Sequence, residues 1–132
     1  NPAKGKEPAL AIYGQGADII FHASGSTGTG VFSAAQEKNA LAIGVDSDQQ
    51  ALAPGHVLTS MVKHVDVAVF DTVKEVKDGT WRAGIRRFDL ARNGVGYVYD
   101  DKNKALIPDD VRAQVEAKRA QIVAGKIVVP FE

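Results

Sequence analysis

The chain has 132 residues, the size of one domain or of part of a larger one, and its hydrophobic (45%) and charged (24%) fractions are those of a globular protein with a core of its own. Sixteen Lys and Arg balance sixteen Asp and Glu, so no bulk field draws the chain to nucleic acid or to an anionic membrane. The lack of cysteine excludes disulfides, thiolate metal sites and cysteine nucleophiles.

No run approaches the roughly 18 apolar residues of a membrane-spanning helix, and no charged-then-apolar leader opens the chain. It begins at Asn1, without Met, at what reads as a helix start; the expectation is a piece of a longer protein. Pro2 suits a first helical turn, and Ala3 to Tyr13 is helix-compatible, with Gly14 and Gly16 as stop signals. Ala17 to His22 reads as a short buried strand, followed by the glycine-rich loop Ser24-Gly25-Ser26-Thr27-Gly28-Thr29-Gly30. Gly30 to Asn39 reads as a helix with Val31, Ala34 and Ala35 inward. Ala40 to Val45 is the next strand, ending on Asp46. Asp46 to Gly55 is a polar loop with a Pro54-Gly55 turn, and Val57 to Val62 is a third strand, ending on Lys63.

Val65, Ala68, Val69, Thr72, Val73 and Val76 recur at helical spacing and predict an inward stripe, with Gly79 as the stop. Trp81 to Tyr99 reads as extended segments broken at Asn93-Gly94, and Asp100 to Lys104 as a turn. Pro108-Asp109-Asp110 opens a last helix, acids first, as the helix dipole favours. Val111, Val115 and Ile122 line one side of it and Gly125 closes it. Ile127-Val128-Val129 reads as a terminal strand or docking tail. Strands alternating with helices through short connections predict an α/β fold: a three-layer α/β/α arrangement with a mostly parallel sheet. Strand runs that are apolar throughout predict burial on both faces.

In such a sheet the ends of the three strands share one edge, the edge where open α/β sheets bind ligands. Three candidates lie there. The loop of Ser24, Gly25, Ser26, Thr27 and Gly28 precedes a helix. It suits a phosphate cradle, a backbone and hydroxyl contact to a neutral polar ligand, or a tight turn with Thr27 or Thr29 as helix N-cap. No Lys follows its last glycine, so it is no Walker loop. Asp46 suits a carboxylate accepting from vicinal hydroxyls, as on a ribose, or an Asx-turn. Lys63 suits a donor to a ligand oxygen, a partner for Asp46, or a solvated surface residue.

His22, His56 and His64 lack metal-ligand spacing, Asp46 and Asp48 lack the calcium-loop pattern, and no serine sits in a nucleophile elbow, so no metal, cofactor or catalytic group is expected. Arg82, Arg86, Arg87 and Arg92 form too narrow a basic run for a nucleic-acid surface.

Five ordered motifs then carry a family likeness: Pro2-Ala3-Lys4-Gly5-Lys6-Glu7, Gly16-Ala17-Asp18-Ile19-Ile20, the Gly25–Gly30 loop, Gly44-Val45-Asp46-Ser47-Asp48-Gln49 and Leu58-Thr59-Ser60-Met61-Val62-Lys63. Together they resemble the basic membrane protein family of bacterial lipoproteins, the purine-nucleoside-binding branch of ABC-importer substrate-binding proteins. The strong motifs span residues 2–70, and the family's usual Asp before Pro-Ala-Lys-Gly is Asn1 here.

The resemblance implies a two-lobed type I periplasmic-binding-protein fold with three crossovers between lobes. Residues 1–132 would be its C-terminal portion, the second lobe plus crossover segments, with the first lobe preceding Asn1 or replaced by self-association. It implies a nucleoside such as adenosine, guanosine or inosine, or a free purine base, bound between lobes without catalysis. It also implies an ABC permease as partner and a lipid-anchored parent in the periplasm or on the outer face of the cytoplasmic membrane. By motif match, Asp46 would hold ribose hydroxyls, Lys63 would lie in the same site, and Ser24 to Gly30 would line the cleft. The alternatives are a small nucleotide-dependent enzyme using the Gly25–Gly30 loop for phosphate, and a ligand-sensing regulatory domain of the same fold.

Overall fold

The computed structural model describes residues 1–130. The chain divides into two compact units, the first made of Asn1–Val62 and Tyr97–Pro108, the second of Lys63–Gly96 and the described residues from Asp109 onward. The chain therefore passes between units after Val62, Gly96 and Pro108.

In the first unit, α1 (Pro2–Gly14) is capped by Asn1, whose side-chain oxygen accepts the Ala3 N–H at 3.0 Å. Asn thus performs the capping role that an Asp would. Strand β1 (Ile19–Phe21) leads through a 3₁₀ turn at Gly25–Gly28 straight into α2 (Thr29–Lys38). Asn39, left-handed at φ 50°, closes α2. Strands β2 (Leu41–Asp46) and β3 (Val57–Lys63) follow.

β1, β2 and β3 pair in parallel in that order, with Phe21 opposite Ile43 and Gly44 opposite Ser60. The neighbour of β3 is β4 (Val95–Tyr97). The bonds from His64 N–H to Gly94 O and from Val98 N–H to Ser60 O run in opposite chain directions, so β4 is antiparallel to β3. The α/β class and the mostly parallel sheet match the expectation.

Phe32 is fully buried among Ala9, Tyr13, Val31, Ala34, Ala35, Ala42 and Val57. The inward face expected for α2 is the observed one. Gly5 and Gly30 let α1 approach closely: a Cβ on Gly5 would meet the Thr27 carbonyl, and one on Gly30 the Pro2 carbonyl. The Tyr13 hydroxyl donates to Leu41 O at 2.7 Å and ties α1 to the sheet.

The expectation of strands buried on both faces fails for β1. Ile20 packs on the core cluster, but Ile19 and Phe21 are exposed, because alternate side chains leave opposite faces and β1 is an edge strand.

In the second unit, α3 (Val65–Lys77) and α4 (Asp109–Val123) have no buried residue. The expected inward stripe of α3 holds only in part: Ala68 and Thr72 are half-buried, but Val65, Val69, Val73 and Val76 are exposed, while Val67, Asp71 and Glu75 on other faces are half-buried. Val111 and Val115 of α4 are likewise exposed. From Trp81 to Tyr99 only Val95–Tyr97 forms a strand, and 127–129 forms none. Arg86 instead pairs with Glu75 and donates to Arg82 O within an irregular 81–92 segment.

Candidate functional site

The edge formed by the C-terminal ends of β1 and β2 is built around three polar side chains. His22 follows Phe21, whose partner is Ile43, so one step further His22 stands level with Gly44, and Gly44 is opposite Ser60. The residue just past β1 and residues of β2 and β3 thus present His, Gly and Ser at one height. The space above Gly44 is filled by Gln49: a Cβ there would lie 2.5 Å from Ser60 Oγ and 2.8 Å from Gln49 Oε1.

Gln49 fastens its own loop. Its Oε1 accepts the Val45 N–H at 2.8 Å, and its backbone N–H donates to Ser60 Oγ at 3.0 Å. Ser60 is fully buried. Asp48 Oδ1 accepts the Gln50 N–H at 2.9 Å, an Asx-turn.

Asp46, exposed, is bent within this frame. The Ser47 N–H donates to Val45 O at 2.8 Å, and Asp46 has φ 70°. This is a γ-turn centred on a non-glycine residue in left-handed backbone, a strained arrangement. Asp46 is also within electrostatic reach of His22.

His22 is the hinge of the arrangement. Its ring meets Phe32 edge-on at 5.1 Å, and Nδ1 lies 3.5 Å from Ser24 Oγ. Its Nε2 is buried without a hydrogen bond of good geometry, and the Gln49 side chain and the Asp46 charge also act on the ring. Burial lowers the His22 pKa below the usual imidazole value, while the Gln49 side chain and the Asp46 charge pull it the other way. The resting ring is therefore neutral.

The glycine-rich loop is set from the same histidine. Gly28 is buried, and a Cβ there would strike the His22 ring. With Gly30 taken up by α1, Gly25 is the loop glycine facing open space, at φ 54°. Ser24 and Ser26 are exposed and Thr27 is half-buried. The N-cap of α2 is Gly28, with no side-chain cap bond, rather than Thr27 or Thr29. The Thr29 hydroxyl donates to Ser26 O and closes the turn from inside.

The structure thus gathers the Ser24–Gly28 loop and Asp46 around His22. Lys63, exposed, closes β3 and is the first residue of the second unit. Sequence reasoning gave Gln49 and Ser60 no role, and read His22, just ahead of the glycine loop, as a core or loop histidine that could orient that loop. Gly44 inside an apolar strand and Ser60 inside another were the available signals, since an interior strand glycine marks a close approach.

The second unit holds a separate groove of about 420 Å³, lined mainly by Leu90, Val95, Ile122, Ile127 and Val128. None of the candidate residues lies in it. Among the described residues no cluster of metal-type ligands occurs, and no helix is long and apolar enough to cross a membrane.

The sequence profile of the Bmp family, described as ABC transporter substrate-binding protein PnrA-like, matches residues 1–132. An uncharacterized lipoprotein of Pyrococcus abyssi (strain GE5 / Orsay) is 36% identical over 90% of the chain and 34% of its own length. The ABC transporter nucleoside-binding protein BmpA of Lactococcus lactis is 34% identical over 97% of the chain and 40% of its own. The chain therefore spans well under half the length of these curated relatives. An ABC transporter solute-binding protein from Aeropyrum pernix K1 superposes with a TM-score of 0.84 at 25% identity, over 100% of the chain and 46% of its own. A transcriptional activator of the comK gene from Bacillus halodurans superposes with a TM-score of 0.82 at 24% identity, over 92% and 42%, a likeness of fold alone.

Proposed function

Since the chain belongs to the Bmp family of PnrA-like ABC transporter substrate-binding proteins, we propose that it is the C-terminal portion of a protein that captures a purine nucleoside for a membrane permease. One observation carries this reading: Asp46, an exposed carboxylate, is held in a strained turn at the ligand-binding edge of a parallel sheet. Such a group accepts two hydrogen bonds from vicinal hydroxyls, each stronger for its charge. Ser24, Gly25, Ser26 and Thr27 line the approach, Gly28 being buried against the His22 ring instead, and Lys63 donates to a ligand oxygen. Adenosine, guanosine, inosine or a free purine base are the ligands in view. The relative from Lactococcus lactis, named a nucleoside-binding protein, supports that class.

The parent has two lobes, and sequence outside this chain, which spans 34–40% of the length of these relatives, supplies most of the first. The three chain passages between units and the exposed apolar stripe of α3 support this division. Ligand contacts to both lobes favour the closed state, and the permease recognises that state. The parent is lipid-anchored on the outer face of the cytoplasmic membrane, in keeping with the relative named a lipoprotein. The protein performs no catalysis. Phosphate chemistry is disfavoured because Gly28 and Gly30 are taken up by His22 and α1 rather than left open to a ligand.

The test is calorimetric titration of the full-length parent with adenosine, guanosine, inosine and their 5′-monophosphates. Binding of free nucleosides supports the proposal; a requirement for phosphate or magnesium overturns it in favour of a nucleotide-dependent protein.

A further inference from the structure

We propose that His22, Gln49 and Ser60 form a positioning network that holds Asp46 in its γ-turn, so that Gln49 sets the grip on ligand without touching it. The inference rests on the reading that Asp46 binds ligand hydroxyls, but its structural half stands apart from that reading.

Four observations converge. Val45 is held from both sides, its N–H by Gln49 Oε1 and its carbonyl by Ser47 N–H. The second bond spans Asp46, which is left-handed at the centre of the turn, and the first fixes the residue just before it. Gln49 is fixed in turn by the buried Ser60 hydroxyl. Gly44 leaves room for the carboxamide. Lastly, His22 Nε2 is buried with no well-formed bond, and an orphaned polar atom of this kind costs stability. Gln49 Oε1 has a second lone pair with which to accept an Nε2–H. That tautomer leaves Nδ1 to accept from Ser24, the first residue of the glycine loop. One neutral imidazole therefore couples the loop to the Asp46 turn.

The groups facing His22 are Asp46, Gln49, Ser24, Phe32 and Gly28, and Asp46 is the charged one among them. A negative charge placed at position 49 would add to its effect.

The experiment uses the full-length parent and three variants, Gln49→Ala, Gln49→Glu and Ser60→Ala. Nitrogen-15 NMR of His22, hydrogen exchange of the Val45 amide and adenosine titration are recorded for each. The wild-type ring is expected as the Nε2–H tautomer. Gln49→Ala is expected to lose Val45 protection and to weaken adenosine binding about tenfold or more. Gln49→Glu, which keeps the acceptor, is expected to restore most of both and to move the His22 titration to higher pH. Ser60→Ala, with a small volume change, gives the same direction of effect should Gln49→Ala fail to fold.

An Nδ1–H tautomer, or a Val45 amide unchanged in Gln49→Ala and Ser60→Ala, overturns the network. Unchanged adenosine affinity together with lost Val45 protection overturns its control of ligand binding. A wild-type parent that binds no nucleoside, with Val45 protection still dependent on Gln49, overturns the nucleoside reading and leaves the network standing.

Discussion

Gln49 occupies the space that Gly44 leaves empty: its Oε1 lies 2.8 Å from where a Cβ on residue 44 would be. A glycine in the middle of a buried strand weakens that strand, so its use here is to admit the carboxamide that fastens the Asp46 loop. Gly44→Ala is expected to displace Gln49 and to cost about 1–3 kcal/mol by overpacking. Urea unfolding of the variant measures the cost, and a stability within error of wild type contradicts the assignment.

Gly28 and His22 form a second tight pair. The ring lies where a Cβ on Gly28 would stand, so Gly28→Ala is expected to cost about 1–3 kcal/mol. Removing the ring should make room for that methyl. In a double-mutant cycle of Gly28→Ala with His22→Ala, the two losses should fall short of additivity by about 1 kcal/mol or more. Strict additivity would mean that the ring does not set the loop.

Acid should act through His22 before it acts on the carboxylates. Burial depresses the folded pKa of His22 below the unfolded value of 6.5. The unfolded chain therefore binds more protons in the interval between the two, and stability rises with pH there. The contribution is complete above pH 6.5 and is lost as pH falls through the folded value. The carboxylates of exposed Glu37, lowered by its bond to Lys6, and half-buried Asp100, lowered by the Lys102 backbone, act only as pH falls below their unfolded values of 4.5 and 3.8. Urea midpoints from pH 7.5 to 5 should therefore fall more steeply for wild type than for His22→Gln. Parallel curves would contradict a buried neutral imidazole.

Asp46 sits at φ 70°, a conformation glycine adopts freely. Asp46→Gly removes the strain and the carboxylate together. Left-handed strain of this kind costs about 1–3 kcal/mol, so the variant should be at least as stable as wild type and weaker in ligand binding. Thermal unfolding checks the first point, and a loss of stability would show that the carboxylate anchors the fold.

Much of the frame was legible from the chain alone. Val31, Ala34 and Ala35 at helical spacing gave the buried face of α2, and the apolar runs ending on Asp46 and Lys63 gave β2 and β3. Those features are local and periodic, so sequence carries them. The His22–Gln49–Ser60 assembly was not legible, because it depends on strand register: residues 22, 44 and 60 meet only once β1, β2 and β3 are aligned. Helical periodicity of Val65, Val69, Val73 and Val76 correctly indicated one apolar stripe, but it could not say what the stripe faces. The glycine loop was legible only as a set of alternatives. Composition allowed a phosphate cradle, a contact to a neutral polar ligand or a tight turn, and it could not show that Gly28 and Gly30 are packed against His22 and α1.

The central claim is that Asp46 grips a nucleoside, and titration of adenosine into the full-length parent with and without Asp46→Ala tests it most directly. Charge-assisted bonds to the sugar are worth about 1.5–3 kcal/mol, so the variant should bind roughly ten- to a hundredfold more weakly. Wild-type affinity in Asp46→Ala would contradict the account and move the ligand away from the end of β2.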